Sequence, residues 1–396
     1  MCQRIARSLV FGLLFLLIPI DYAVGTKLVI TGRLQSEYHA VHVEGFSSQT
    51  ALNDPTFFSS WGLRISENLG NGLKAIGMID WGFSTGTGSP TGAREQYVAF
   101  SKDSLGILKF GRIHSLFADY IGGWTIDPLV YTALQAAGSG GAMIASANGL
   151  GSGAYTAVNS VLRFDSVNFN GFTFAAMLMP GDSSRLEANL GGLLGGAGNN
   201  IGNTGGANGE WDVQLGTKYE FHYLDHRLAI FGGYSRDNAS SQQKHNPFAH
   251  LRTEEVGRIG GVWAYKNYQL QGQFERISNA LGAATCSNAA ALGDIGDPTR
   301  QCNSAMNPGG DGYTWFTSGQ YMWGNTSFVA QGGMTIAHAV DALHKKNSEN
   351  FTLGAIHNLS KRTSIFGGYQ RVNVDDQSNI KDRDRNTWTV GIRHRF

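Results

Sequence analysis

The sequence is poor in the features that mark most other protein classes. Of its 396 residues only 3 are cysteine, 8 are proline and 15% are charged. So few cysteines exclude a disulfide-dense scaffold, in which several bridges replace a core. Beyond the N-terminus no stretch offers about 18 consecutive apolar residues, which excludes membrane-crossing helices. Neither sign of charge dominates. The formal net charge is +1, and removing Arg4, Arg7 and Asp21 with an N-terminal leader brings it to about zero. No polyanionic partner is implied, and nucleic acid is not expected.

What is abundant points elsewhere. The 54 glycines and 11% aromatic residues describe a chain of many turns, little helix and interfacial side chains, an all-β profile. The length would suit two average soluble domains, but barrels run longer than average as one unit. Residues 1–25 stand apart. Arg4 and Arg7 precede an apolar run from Leu9 to Ile20, too short to span a bilayer as a helix, and Ala23-Val24-Gly25 offers a small-residue cleavage site. They are expected to be a cleaved signal peptide, leaving 26–396 as one domain.

From Lys27 onward, runs of about ten residues alternate apolar and polar before turn or loop residues, the pattern of a membrane β-barrel. Tyr268, Leu270, Gly272 and Phe274 share one face, with Gln269, Gln271, Gln273 and Glu275 on the other. The last run sets Trp388, Val390, Ile392 and Phe396 against Thr387, Thr389, Gly391, Arg393 and Arg395. Arginine facing lipid at mid-depth would cost roughly 2 to 4 kcal/mol, so the arginine side must line the lumen. About sixteen runs start near 27, 57, 73, 94, 107, 156, 171, 210, 227, 253, 268, 312, 326, 350, 362 and 385. Gly70-Asn71-Gly72, Lys266-Asn267 and Gly324-Asn325 mark tight hairpins, where Asn and Gly supply positive φ. The predicted fold is a transmembrane antiparallel β-barrel of about 16 strands. Short periplasmic turns alternate with long extracellular loops near 114–155, 181–209, 238–252 and 279–311. A barrel of that size encloses water.

Three passages resemble the Gram-negative trimeric general diffusion porins. These are Ser60-Trp61-Gly62-Leu63-Arg64-Ile65-Ser66-Glu67-Asn68-Leu69-Gly70-Asn71-Gly72, then Gly106 to Arg112 before a long loop, and Asn159 through Phe172 after it. Phe396 closes the chain, and in that family a terminal phenylalanine marks clients of the outer-membrane assembly machinery. The resemblance implies a sixteen-stranded outer-membrane channel, a homotrimer in lipid and lipopolysaccharide, passing ions and small hydrophilic solutes. It also implies an inward-folding third loop, here about 114–155. The loop's Trp124, Ile126, Leu129, Val130, Leu134, Met143 and Ile144 need packing partners that solvent would not supply.

In that family, basic wall residues face loop carboxylates across the narrowest section. The matching positions here are Arg33, Arg64 and Arg112 on the wall, with Asp119 and Asp127 on the loop. Opposed charges across a water gap focus the field and orient dipolar solutes. Strict alternation puts Arg112 with Leu108 and Phe110, so aiming it inward requires a bulge. Ser60 and Val158 stand where related porins often carry further basic residues.

Other features call for nothing more. Cys286 and Cys302, in one polar segment, fit a loop disulfide in an oxidising compartment, with two free thiols as the alternative. The Gly-rich segment 191–209 lacks the Lys-Ser or Lys-Thr of a phosphate cradle. Asp375, Asp376, Asp382 and Asp384 with Lys381, Arg383 and Arg385 describe a solvated charged loop. His39, His42, His222 and His226 complete no zinc pattern, so no metal or cofactor is expected. No nucleophile-base or paired-carboxylate constellation assembles, so the chain is not expected to be an enzyme. A substrate-selective porin, or an adhesin or receptor using its loops, is the competing reading.

Overall fold

The computed structural model describes residues 25–56, 58–137, 157–180, 211–238, 253–279, 311–338, 346–376 and 384–396. The expected signal peptide up to Val24, the Cys286–Cys302 pair, the remainder of the third loop and the other long extracellular loops lie outside them.

The strands are β1 (Thr26–Val43), β2 (Gln49–Asn53), β3 (Ser60–Gly70), β4 (Leu73–Phe83), β5 (Pro90–Lys102), β6 (Gly106–His114), β7 (Ala157–Ser166) and β8 (Phe172–Pro180). They continue as β9 (Trp211–Tyr223), β10 (His226–Asp237), β11 (Glu254–Tyr265), β12 (Tyr268–Ser278), β13 (Asp311–Trp323), β14 (Thr326–His338), β15 (Lys346–Asn358), β16 (Thr363–Asp376) and β17 (Arg385–Arg395). Each pairs antiparallel with its neighbours, and β1 pairs with β17, which closes the sheet. The short β2 lies along Glu37 to Val41 of β1, whereas β3 lies along Thr26 to Arg33 of the same strand. β2 and β3 therefore share one position, and the barrel has sixteen, as expected from the alternating runs. Sixteen antiparallel strands satisfy every backbone polar group without an open edge, as lipid demands.

The two faces separate as the alternation predicts. On β17, Trp388 is 60% exposed and Val390 59%, while the intervening Thr389 is 7% exposed and faces inward. The tight turns carry positive φ at Asn71, Lys266 and Gly324. At the chain end, Phe396 exchanges backbone hydrogen bonds with Gly32 at 2.9 and 3.2 Å. The aromatic ring lies where a Cβ on Gly32 would stand, so only glycine admits it there.

The core is inside the barrel. Ile113, Val158, Val161, Ala175, Met177, Phe231, Val256, Ile277 and Phe316 of the inner wall pack against Leu116, Phe117, Ile121 and Ile126 of the third loop. One side of the lumen is thus filled by a hydrophobic core between wall and loop.

Candidate functional site

The third loop leaves β6 through Ser115, whose hydroxyl accepts the Ala118 N–H and caps the single-turn helix α1 (Leu116–Asp119). A 3-10 turn (Gly123–Ile126) follows. From there a row of lumen-facing side chains holds the loop backbone. Gln214 accepts the Leu116 N–H at 2.8 Å, and Gln273 accepts the Gly123 N–H at 2.8 Å. Gln271 and Ser318 both donate to the Ile126 carbonyl at 2.8 Å, and Gln370 donates to that of Leu134 at 2.8 Å. Arg258, in a fully buried 2.6 Å ion pair with Glu275, donates to the carbonyls of Phe117 and Ile121. The wall also makes room. A Cβ on Gly354 would lie 2.9 Å from the Leu129 side chain, and one on Gly368 2.8 Å from that of Leu134.

Asp127 closes the loop on itself. Its carboxylate accepts the N–H groups of Leu129 at 2.9 Å, Ala136 at 2.7 Å and Ala137 at 2.9 Å, and the residue is 2% exposed. Burial raises its pKa to about 6 despite these bonds. The structure therefore places Asp127 inside the loop, as its internal staple, and not across the pore from the wall arginines. Asp119 does face the wall, but its partner is Arg163 of β7, at 2.8 Å. Arg163 also holds Asp165, which Lys109 shares at 2.8 Å.

Between β2 and β3 the chain steps into the lumen. Asp54 accepts the Ser59 N–H at 2.6 Å, and the Ser59 hydroxyl accepts the Gln35 N–H at 2.9 Å. This step puts the buried Phe58 ring at the centre of a basic cluster. The guanidinium carbons of Arg33, Arg393 and Arg395 lie 5.0, 4.4 and 5.6 Å from its centroid, a cation–π arrangement. Tyr131 of the loop sits beside it, its ring centroid 5.4 Å from that of Phe58. Arg94 donates to the Tyr131 hydroxyl at 3.2 Å. Tyr131 adopts φ 61°, a costly conformation for a non-glycine residue. Its N–H bonds to Gln135 at 2.8 Å and its carbonyl accepts from Gln35, which hold it there.

Asp80 is shared by two of these cations, at 3.4 Å from Arg33 and 3.5 Å from Arg94. Glu37, fully buried, is occupied by Ala133 N–H, Thr389 and Gln35. Four guanidinium groups thus surround Phe58 and Tyr131, and Asp80 makes direct ion pairs with two of them.

Of the expected wall residues, Arg33 lies in this cluster. Arg64 also faces the lumen, but it is exposed and four residues along β3 from Ser60, the partner of Arg33, roughly 13 Å further toward the short-turn end. Arg112 does not join them. A bulge is present, but the extra residue is on β7, where Asn159 and Ser160 oppose Arg112 alone. Alternation in β6 holds through Ile113, which is buried inside, and breaks at the strand end, where His114 turns in against Trp124; Arg112 keeps the outward parity of Phe110 and donates to Ala93 O at 3.0 Å and to Asn159.

Over residues 23–378 the sequence matches the profile of the family described as Gram-negative porin. The chain belongs to the Gram-negative porin family. An outer membrane porin protein of Bordetella pertussis is 26% identical over 354 residues, 85% of this chain and 82% of the relative. Among solved structures, an anion-selective porin from Comamonas acidovorans is similar with a TM-score of 0.62 and 18% identity, covering 94% of this chain and all of that one. OmpF of Salmonella typhi, in complex with daunomycin, gives 0.59 and 13% over 95% of this chain and all of its own. The trimer form of OmpT from Vibrio cholerae gives 0.58 and 11% over 94% and 100%. This porin is an outer-membrane channel for passive diffusion of ions and small hydrophilic solutes.

Arg94 escapes a reading by alternation for a definite reason. Between the pairs Ile79–Gln96 and Trp81–Ala93, Arg94 and Glu95 oppose Asp80 alone, so a bulge in β5 brings Arg94 to the lumen beside Glu95, which shares the inward parity of Ala99. Arg163 and Arg393 were legible from parity, as were the glutamines. That these side chains meet a loop and not water is invisible in the strand pattern.

Proposed function

We propose that this porin is a homotrimeric general diffusion channel whose constriction favours anions. The observation that carries the reading is the cluster of Arg33, Arg94, Arg393 and Arg395 about Phe58 and Tyr131, with Asp80 in ion pairs with two of them. Neither expected loop carboxylate opposes it, since Asp119 is committed to Arg163 and Asp127 to the loop backbone. The four guanidinium groups outnumber Asp80, Glu37 and Asp54, the carboxylates that act on Arg33 and Arg393, so the net potential is positive. In a water gap bounded by low-dielectric protein, that potential concentrates small anions. Exposed Arg64 extends the positive wall toward the periplasm, and Asp119 with Arg163 forms a neutral pair beside it.

The trimer form printed for OmpT supports the same assembly here, and the anion selectivity printed for the Comamonas porin supports the same preference. The outward apolar band meets lipid and the outer rim lipopolysaccharide. Phe396 serves as the assembly mark, and its backbone pairs with Gly32 where the last strand meets the first. Planar-bilayer recording of the refolded mature protein tests both parts. Openings that close in three equal steps, with a reversal potential on the chloride side in a potassium chloride gradient, are expected. Single-step closure contradicts the trimer, and a potassium-side potential contradicts the anion preference.

A further inference from the structure

A second group of side chains stands at the root of the third loop, beside the arginine cluster, from which Trp124 separates it by packing on both His114 and Tyr131. Glu95 comes from the β5 bulge, His114 ends β6 and Asp119 ends α1, and each offers a ligand atom within 4.8 Å of the others. His114 Nδ1 lies 3.5 Å from Glu95 Oε2. Two ligands bound to zinc at about 2.0–2.1 Å in tetrahedral geometry are roughly 3.4 Å apart, so this separation is close to the edge of such a site. It is also too long for a good hydrogen bond, and a metal ion would join what a proton joins poorly.

The surroundings fit a ligand set. Asp119 is held by Arg163 through one oxygen, Oδ1, which leaves the other to bind, and Arg163 is held by Asp165. Ligating carboxylates are normally oriented by such outer partners. Glu95 is steadied by the His114 N–H at 3.1 Å, and the His114 ring rests edge-on against Trp124, with centroids 5.3 Å apart. The side chains are 13%, 18% and 31% exposed for His114, Glu95 and Asp119, so an ion can reach them from the lumen. Imidazole with two carboxylates suits zinc or a neighbouring transition metal and not magnesium, which needs near-octahedral oxygen. Asp119 is already balanced by Arg163, so the charge the site offers an ion is that of Glu95, with Asp119 and the neutral imidazole adding donor atoms.

We propose that Glu95, His114 and Asp119 form a binding site for a divalent transition metal, with Zn2+ the fitting ion and water in the fourth position. Occupied, the site ties two wall strands to the first turn of the loop and places a cation in the lumen beside Arg163. Zinc would thereby fix the loop root and alter ion flow.

The test is equilibrium dialysis of the folded, detergent-solubilised porin against Zn2+, with Co2+ as a spectroscopic probe, and bilayer conductance recorded in Zn2+ and in Mg2+. Wild type is expected to bind one equivalent per chain that His114→Gln lacks. It should show visible Co2+ absorption that the variant loses, and a conductance change with Zn2+ and not with Mg2+. Glu95→Gln, whose amide binds metal poorly, serves if His114→Gln does not fold. The same stoichiometry and Co2+ spectrum in the folded variant, or no zinc bound by wild type, would overturn the proposal.

Discussion

The carboxylate of Asp127 accepts the N–H of Ala136, nine residues further along the chain, at 2.7 Å in a site closed to solvent. With the N–H groups of Leu129 and Ala137 it makes the third loop a self-contained unit, which the barrel wall then grips from outside.

Asp127→Ala strands three buried donors, each at about 1–3 kcal/mol. The expected outcome is a loop released from the wall in an intact barrel. Single-channel conductance rises and becomes noisy, the loop is cut by protease, and heat-modifiable migration of the barrel is retained.

The same carboxylate gives the loop a pH dependence. Its pKa is raised from 3.8 to about 6 by burial, so the seated loop favours the protonated form. The stabilisation, about 3 kcal/mol, is full below pH about 4 and is lost as pH rises through about 6. Protease cleavage of the loop should therefore accelerate between pH 5 and 7 relative to pH 4, after correction for the protease's own profile, and Asp127→Asn should flatten that response.

How much of this was readable from the sequence divides at the membrane boundary. Strand starts such as Leu73, Tyr268 and Thr326 coincide with the alternation because lipid on one face and water on the other impose it. β15 begins at Lys346, four residues before the alternating run, and β5 at Pro90, because strand ends beyond the lipid band have no apolar face to display. β2 has no legible signal, since five residues carry too little pattern and it shares β1 with β3. At the site, Arg33 and Glu95 follow parity, whereas Arg94 is hidden by a bulge and Phe58 by the step between strands. Asp127 could not be assigned from sequence, since a buried staple and a pore carboxylate are the same residue type in the same loop.

Gly354 and Leu129 should behave as a fitted pair. Gly354→Ala puts a Cβ 2.9 Å from Leu129 Cδ1, an overpacking cost of about 1–3 kcal/mol. Leu129→Ala costs about 2–5 kcal/mol through the cavity it leaves. In the double variant the glycine substitution should lose most of its effect, a coupling readable from urea unfolding in detergent.

The fully buried Arg258–Glu275 pair should be among the most sensitive contacts in the barrel. Arg258→Ala leaves Glu275 without its cation and the Phe117 and Ile121 carbonyls without their donor, a loss of about 3–5 kcal/mol. Glu275→Gln, which removes the charge but keeps an acceptor, should cost less. The two unfolding midpoints against wild type check the order.

The most direct test of the electrostatic account is the reversal potential in a potassium chloride gradient for wild type and for Arg33→Gln, Arg64→Gln, Arg94→Gln combined. The account predicts chloride preference in wild type. It predicts a shift toward potassium in the variant, where Asp80 loses both of its cations and becomes a negative charge in the constriction. An unchanged reversal potential in a folded, conducting variant would contradict it.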